Sequence, residues 1–292
     1  MDFNDGQTLR YKFISDREIT IDWEPSKTEA GGQQSTLSKS SESMEMVVAY
    51  TPVEINPYGL STIKATCESV KARHSDGTQK DAVENFAGKT YTFKVGPTGK
   101  IEDYSQLDEL VKEIGEKAFQ PDTGRGRIKE PDMIGDFIAS QWFLWDSVSS
   151  IENASEGVRF GQSWQSKLSV PTPMVTREAR DVTYKLEEVR QSENGRLAVI
   201  SSSYNKAESV PQSWPIPYKG RFQMRGRFGF LGNYKLLDLQ GGGEEIFNIT
   251  LGRTEKYNQQ YQAKLQASIP LGIGESPEIT INQNLTMSLL ED

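Results

Sequence analysis

A chain of 292 residues, 35% hydrophobic and 25% charged, is long enough to bury a substantial core without covalent staples. A formal net charge of −8 and a pI near 5.0 argue against a general affinity for nucleic acid or anionic membrane surfaces, leaving only local basic patches for such contacts. One cysteine and one histidine exclude an intramolecular disulfide, multi-cysteine metal centres and histidine-rich zinc or iron sites, and no apolar run approaches the roughly 18 to 20 residues that span a bilayer.

At the start, Leu9, Tyr11 and Phe13 alternate with Arg10 and Lys12, and Ile19, Ile21 and Trp23 alternate with Thr20 and Asp22. With Ser15-Asp16 between the two runs, this pattern predicts a hairpin. Residues 24–43 carry almost nothing apolar, cannot offset the entropy of ordering, and predict a mobile loop. Strands are expected again at 44–50 and 60–70, separated by Pro52, Asn56, Pro57 and Gly59. Cys67 shares a face with Ile63 and Ala65 and reads as a small buried hydrophobe. His74, in Arg73-His74-Ser75-Asp76-Gly77, reads as a solvated turn residue. Tyr91, Phe93 and Val95 form one face of a further strand, which turns through Gly96-Pro97-Thr98-Gly99 into residues 100–104.

Only residues 104–151 carry helical periodicity. Leu107, Leu110, Val111, Ile114 and Ala118 recur at spacings of three and four and predict an amphipathic helix, with Ser105 and Asp108 as a capping pair. After a loop broken by Pro121, Gly124 and Gly126, a second helix is expected near 132–149. Its apolar residues cover most of its circumference, so it should be the more deeply buried of the two. Glu130, Asp132 and Asp136 at its start fit the helix dipole and need no bound calcium.

Beyond the helices period-two alternation returns. Trp164, Ser166, Leu168 and Val170 share one face, Val182, Tyr184 and Leu186 another, and Asn194-Gly195 marks a hairpin turn into 197–204. Phe222, Met224, Phe228 and Phe230 oppose a basic row of Arg221, Arg225 and Arg227 beside Lys219, a candidate contact for an anion or an acidic partner. Leu237 and Leu239 lead to Gly241-Gly242-Gly243. Long alternating runs at 256–269 and 279–289 close the chain.

One apolar and one wet face on nearly every strand predicts an α+β protein, a single domain over 1–292. It comprises N-terminal strands (1–103), a helical insert (104–151) and a C-terminal long-strand meander (152–292), arranged as a curved antiparallel sheet, half-barrel or barrel-like, with both helices on its concave face. No nucleophile elbow, dinucleotide fingerprint or P-loop is present, and adjacent carboxylates such as Glu244-Glu245 point to opposite faces of a strand. The expectation is therefore no enzyme, no cofactor and no metal. Phe137, Trp142, Phe143 and Trp145 of the second helix are the candidate wall of an apolar ligand site.

Long amphipathic antiparallel strands interrupted midway by helices resemble the half-barrel of bacterial envelope lipid and lipoprotein carriers of the LolA and LppX type. The runs Gly6-Gln7-Thr8-Leu9-Arg10-Tyr11-Lys12-Phe13 and Tyr91-Thr92-Phe93-Lys94-Val95-Gly96-Pro97-Thr98-Gly99-Lys100-Ile101 resemble uncharacterised secreted bacterial β-rich proteins. The resemblance implies a lipid or acyl-chain ligand and a place in the cell envelope or outside the cell. Residues 1–15 lack a signal-peptide core, as they would after removal of a leader. The alternative is an assembly subunit of an envelope complex or surface layer, pairing through an open sheet edge and binding no small molecule. Neither reading involves nucleic acid.

Overall fold

A computed structural model describes residues 7–25, 37–56, 58–75, 81–118, 133–151, 157–172, 178–211, 231–269 and 275–291, with only the backbone at 115–118. The strands are β1 (Leu9–Asp22), β2 (Leu37–Ile55), β3 (Ser61–His74), β4 (Thr90–Val95) and β5 (Ile101–Asp103). After helices α1 (Ser105–Ala118) and α2 (Ile134–Ser149) come β6 (Ser163–Ser169), β7 (Ala179–Ser192), β8 (Gly195–Lys206), β9 (Gly232–Asn248), β10 (Arg253–Ser268) and β11 (Glu278–Leu289). All eleven join one antiparallel sheet, curved but not closed, in the order β5-β4-β3-β2-β1-β11-β10-β9-β8-β7-β6. The two halves are meanders joined where the first strand pairs with the last, Tyr11 opposite Leu289. The chain leaves the sheet at one edge, β5, passes through both helices, and re-enters at the other edge, β6.

Side chains at alternate positions face one densely packed side, and α2 packs there too. Tyr50 of β2 and Tyr91 of β4 both donate to the Gln141 amide oxygen (2.7 and 2.6 Å), and Tyr184 of β7 donates to Asp146 (2.7 Å). Leu107, Leu110, Val111 and Ile114 of α1 are buried, as their spacing requires. The Asp103 carboxylate accepts the Ser105 N–H at the head of that helix. Eleven of the sixteen residues of α2 are buried, consistent with its apolar circumference.

Two expectations are corrected. There is no hairpin at Ser15-Asp16. β1 runs unbroken, and residues 9, 11, 13, 15, 17, 19 and 21 are all buried, so Ser15 and Arg17 occupy inward positions that polarity had hidden. Residues 37–43 are no loop but the first part of the 19-residue β2, which continues through Pro52 to Ile55. Pro52 is tolerated there because a register shift between Pro52 and Glu54 removes the need for its N–H. Gly241-Gly242-Gly243 lies inside β9. A Cβ on Gly241 or Gly243 would stand 2.2 Å from the Gln260 or Asn258 carbonyl oxygen, so only glycine fits. The Asn194-Gly195 turn is present as expected, with Gly195 at φ 115.

Candidate functional site

The interior holds two polar clusters and an aromatic wall. The first cluster is a string of alternating charges. Asp81 caps the 3-10 turn Ala82–Phe86, accepting the Val83 N–H, and its other oxygen lies 3.0 Å from His74 Nε2. His74 Nδ1 lies 3.6 Å from Glu42, whose second oxygen accepts Arg17 Nε at 2.5 Å. Arg17 Nη1 donates to Asp136 Oδ2 at 2.7 Å, and Asp136 Oδ1 accepts from Ser15 and Gln283 (3.1 and 2.8 Å). These contacts tie β1, β2, β3, β11, the 3-10 turn and α2 together.

Each charge depends on the next. Asp81 and Glu42 together raise His74 to about 10, so its imidazolium donates Nε2–H to Asp81 and holds Glu42 as an ion-pair partner. Glu42 falls to about 2: its burial works against ionisation, and the adjoining Arg17 and His74 outweigh it. Burial pushes Asp136 upward, against the pull of Arg17. His74 is thus corrected from a solvated turn residue to a part-buried cation, with a side chain 15% exposed. Asp136 is corrected from a dipole-facing surface acid to a fully buried ion-pair partner; Glu130 and Asp132 lie outside the described residues.

The second cluster lies across the sheet. Asp146 accepts from Tyr184 and from Ser166 at 2.9 Å, and Glu245 accepts from Thr254 at 2.6 Å. Burial raises Asp146 to about 6 and Glu245 to about 7. Beside them Arg180, wholly buried, stacks over the rings of Tyr204, Tyr261 and Phe143 at 4.3, 4.8 and 5.0 Å. Its Nη2 donates to Gln259 at 2.6 Å while Nε and Nη1 have no hydrogen-bond partner among the described residues, where the rings supply the compensation.

The aromatic residues expected to wall a ligand site are engaged with protein. Phe137 stacks on Phe86 at 4.0 Å, Trp145 meets Phe93 and Tyr50 at 5.0 and 5.4 Å, and Phe143 lies 6.4 Å from Tyr257. Trp142, half-buried, packs edge-on against Tyr104. Arg221, Arg225 and Arg227 lie outside the described residues. Cys67 is buried, and its thiol is pushed up to about 12. Among the described residues no group of three His, Cys, Asp or Glu is placed to hold a metal ion, and no helix is long and apolar enough to cross a membrane.

Nine large hydrophobic side chains are exposed among the described residues. Seven gather toward one rim of the sheet, which carries the β2–β3, β4–β5, β7–β8 and β9–β10 turns. Val53, Ile55 and Tyr58 stand at the β2–β3 tip, and Phe160, Val189, Ile249 and Leu251 stand around the tips of β6 to β10. Tyr58 and Phe160 are the extremes, 88% and 77% exposed. The turn segments 53–60, 96–100, 157–162, 189–196 and 249–253 hold five basic residues (Lys100, Arg159, Arg190, Arg196 and Arg253) against two acidic ones (Glu54 and Glu193). That local excess opposes the chain's overall −8. Counting exposed apolar residues near Gly, Pro and Asn turns would have found this rim in the sequence; knowing that the turns share one end required the strand order.

No family model matches the chain, and no curated protein matches it either. Among solved structures, a chain from a structure described as lipid-protein interactions in lipovitellin superimposes with a TM-score of 0.44 at 9% identity, covering 99% of this chain and 26% of that one. The present chain thus spans about a quarter of that protein's length.

Proposed function

We propose that the protein is a non-enzymatic lipid-binding protein of the cell envelope or extracellular space, and that it meets apolar material through the turn-bearing rim of its sheet. The carrying observation is the convergence of seven of nine exposed large hydrophobics at that rim. Scattered exposed leucines and valines need no explanation, but an aggregated fringe with two aromatic tips does. The half-barrel form of the proposal is supported by the reach of α2. Strands β4 and β7 stand eight places apart, roughly 38 Å in a flat sheet. Both bond to residues five apart on one helix only ~10–12 Å wide. A sheet bent round α2, with the helix on its concave side, accounts for both contacts.

In this reading the interior is filled by α2, whose Asp136, Gln141 and Asp146 are pinned to the strands, and lipid is contacted at the end of the sheet. Tyr58 and Phe160 suit the interface between headgroup and acyl chain, and the exposed Lys100, Arg159, Arg190 and Arg196 suit anionic headgroups. Burying each aromatic contributes ~1.5–3 kcal/mol. Co-sedimentation with vesicles of phosphatidylcholine alone, and of phosphatidylcholine with phosphatidylglycerol, tests the proposal. Retention on the anionic vesicles, weakened at least tenfold by Tyr58→Asp with Phe160→Asp and reduced by salt, is expected. Failure of both vesicle types to retain the protein overturns it, as does a double variant that binds as well as the parent. Organic extraction of protein purified from its source, read by mass spectrometry, reports any apolar molecule carried with it.

A further inference from the structure

A cavity of about 720 Å³ lies on the opposite, polar face of the sheet, since no residue of α2 lines it. Its floor is one transverse row of the sheet, in register from His74 through Glu42, Arg17, Gln283 and Tyr261 to Gly241, whose side chains turn inward. Two rails of outward side chains flank that floor. One runs Arg73, Ser43, Asp16, Asn284, Gln260; the other runs Ser75, Ser41, Glu18, Asn282, Gln262, Gln240. The rails stand two residues apart along each strand, roughly 6.7 Å, and successive side chains along a rail recur about every 4.8 Å, one strand spacing. Long strands in a twisted sheet make a saddle, so a sheet that wraps α2 across its strands is hollowed along them on the other face.

We infer that this trench is a binding site for a neutral polyhydroxylated chain, an oligosaccharide of a few residues. Its volume falls within the ~300–1,000 Å³ of ordinary ligand sites. The outward side chains are amides, hydroxyls, the two carboxylates Asp16 and Glu18, and the Arg73 guanidinium. Asp16, Glu18, Gln240, Gln260 and Asn284 are exposed and have no side-chain hydrogen-bond partner among the described residues. They offer donors and acceptors in alternation, which hydroxyl groups can satisfy in either role. The facing side chains hold no apolar wall for an acyl chain, and two carboxylates against one arginine disfavour a polyanion. The floor's backbone groups are spent within the sheet on neighbouring strands, so an extended peptide lying across them would gain no main-chain pairing.

This inference stands apart from the lipid reading, because the trench is on the polar face at mid-strand and the rim is at the strand ends. The test is isothermal calorimetry of the full chain with cello-, malto-, xylo-, manno- and chitotetraose. At least one is expected to bind with a Kd of about 1 mM or tighter. Asn284→Ala with Gln260→Ala, both exposed and remote from the core, should weaken that binding tenfold or more while leaving the unfolding temperature unchanged. The absence of binding by all five at about 10 mM overturns the inference, and so does binding that the double variant leaves intact.

Discussion

Arg17→Met is the most direct probe of the buried charge string. Arg17 has no side-chain exposure, Asp136 has none and Glu42 only 6%. Methionine keeps most of the volume and removes the cation that Asp136 and Glu42 share, leaving Asp136 without its charged partner and Glu42 with His74 alone in a dry interior. Breaking a buried pair from one side costs about 3–5 kcal/mol, a large share of the ~5–15 kcal/mol by which domains are stable. For a cooperative unit of this length, at ~2.1 cal/mol/K per residue, each kcal/mol lowers the unfolding temperature by ~1.6 °C, so a fall of ~5–8 °C is expected by calorimetry at pH 7. The loss should shrink as pH falls toward 5, because burial already pushes Asp136 upward and protonating it removes the uncompensated charge. Replacing all three by apolar residues of similar volume should recover most of the loss, since the charges left behind, His74 and Asp81, pair with each other. A variant melting within 1 °C of the parent at pH 7, or one that worsens on acidification, would refute the account of β1 and α2 as joined through charge.

Three further outcomes follow from the same interior. His74 sits above its ordinary value, so its contribution is whole below pH 6.5 and is lost as pH rises through about 10; urea titrations should show the parent losing ~1.5–3 kcal/mol over that interval and His74→Gln losing none of it. Glu245 and Asp146 are also raised, to about 7 and about 6, but as carboxylates they penalise the fold when ionised. Stability should therefore rise as pH falls from 7 toward 4.5, and Glu245→Gln should flatten that slope, an unchanged slope counting against the assignment. Gly243→Ala forces a Cβ to 2.2 Å from the Asn258 carbonyl oxygen and 2.9 Å from the Tyr204 hydroxyl; the cost should reach at least ~1–3 kcal/mol in denaturant unfolding, and a neutral result would mean that β9 and β10 separate freely there.

Much of the local structure was legible because it depends only on near neighbours along the chain. The spacing of Leu107, Leu110, Val111 and Ile114 marked α1, the near-complete apolar circumference marked α2, and Asn194-Gly195 placed the β7–β8 turn. The same reasoning failed where a polar residue sat at an inward position. Ser15-Asp16 looked like a turn because Asp136, the partner of Ser15 and of the inward Arg17, lies 119 residues beyond Arg17, and Glu42 looked like loop for the same reason. Period two ran through these positions unbroken, but only the tertiary neighbours that neutralise a buried charge make such a position tolerable. His74 lost its solvated character when β3 brought it between Glu42 and Asp81. The order of the sheet, with the first strand beside the last and the helices carrying the chain from one edge to the other, is a matter of long-range pairing that no local pattern encodes. That order alone gathers Tyr58 and Phe160 toward one rim and aligns Asp16, Asn284 and Gln260 along one trench. Alternation in the chain determines which face each side chain takes; register between distant strands decides which side chains share a place on that face.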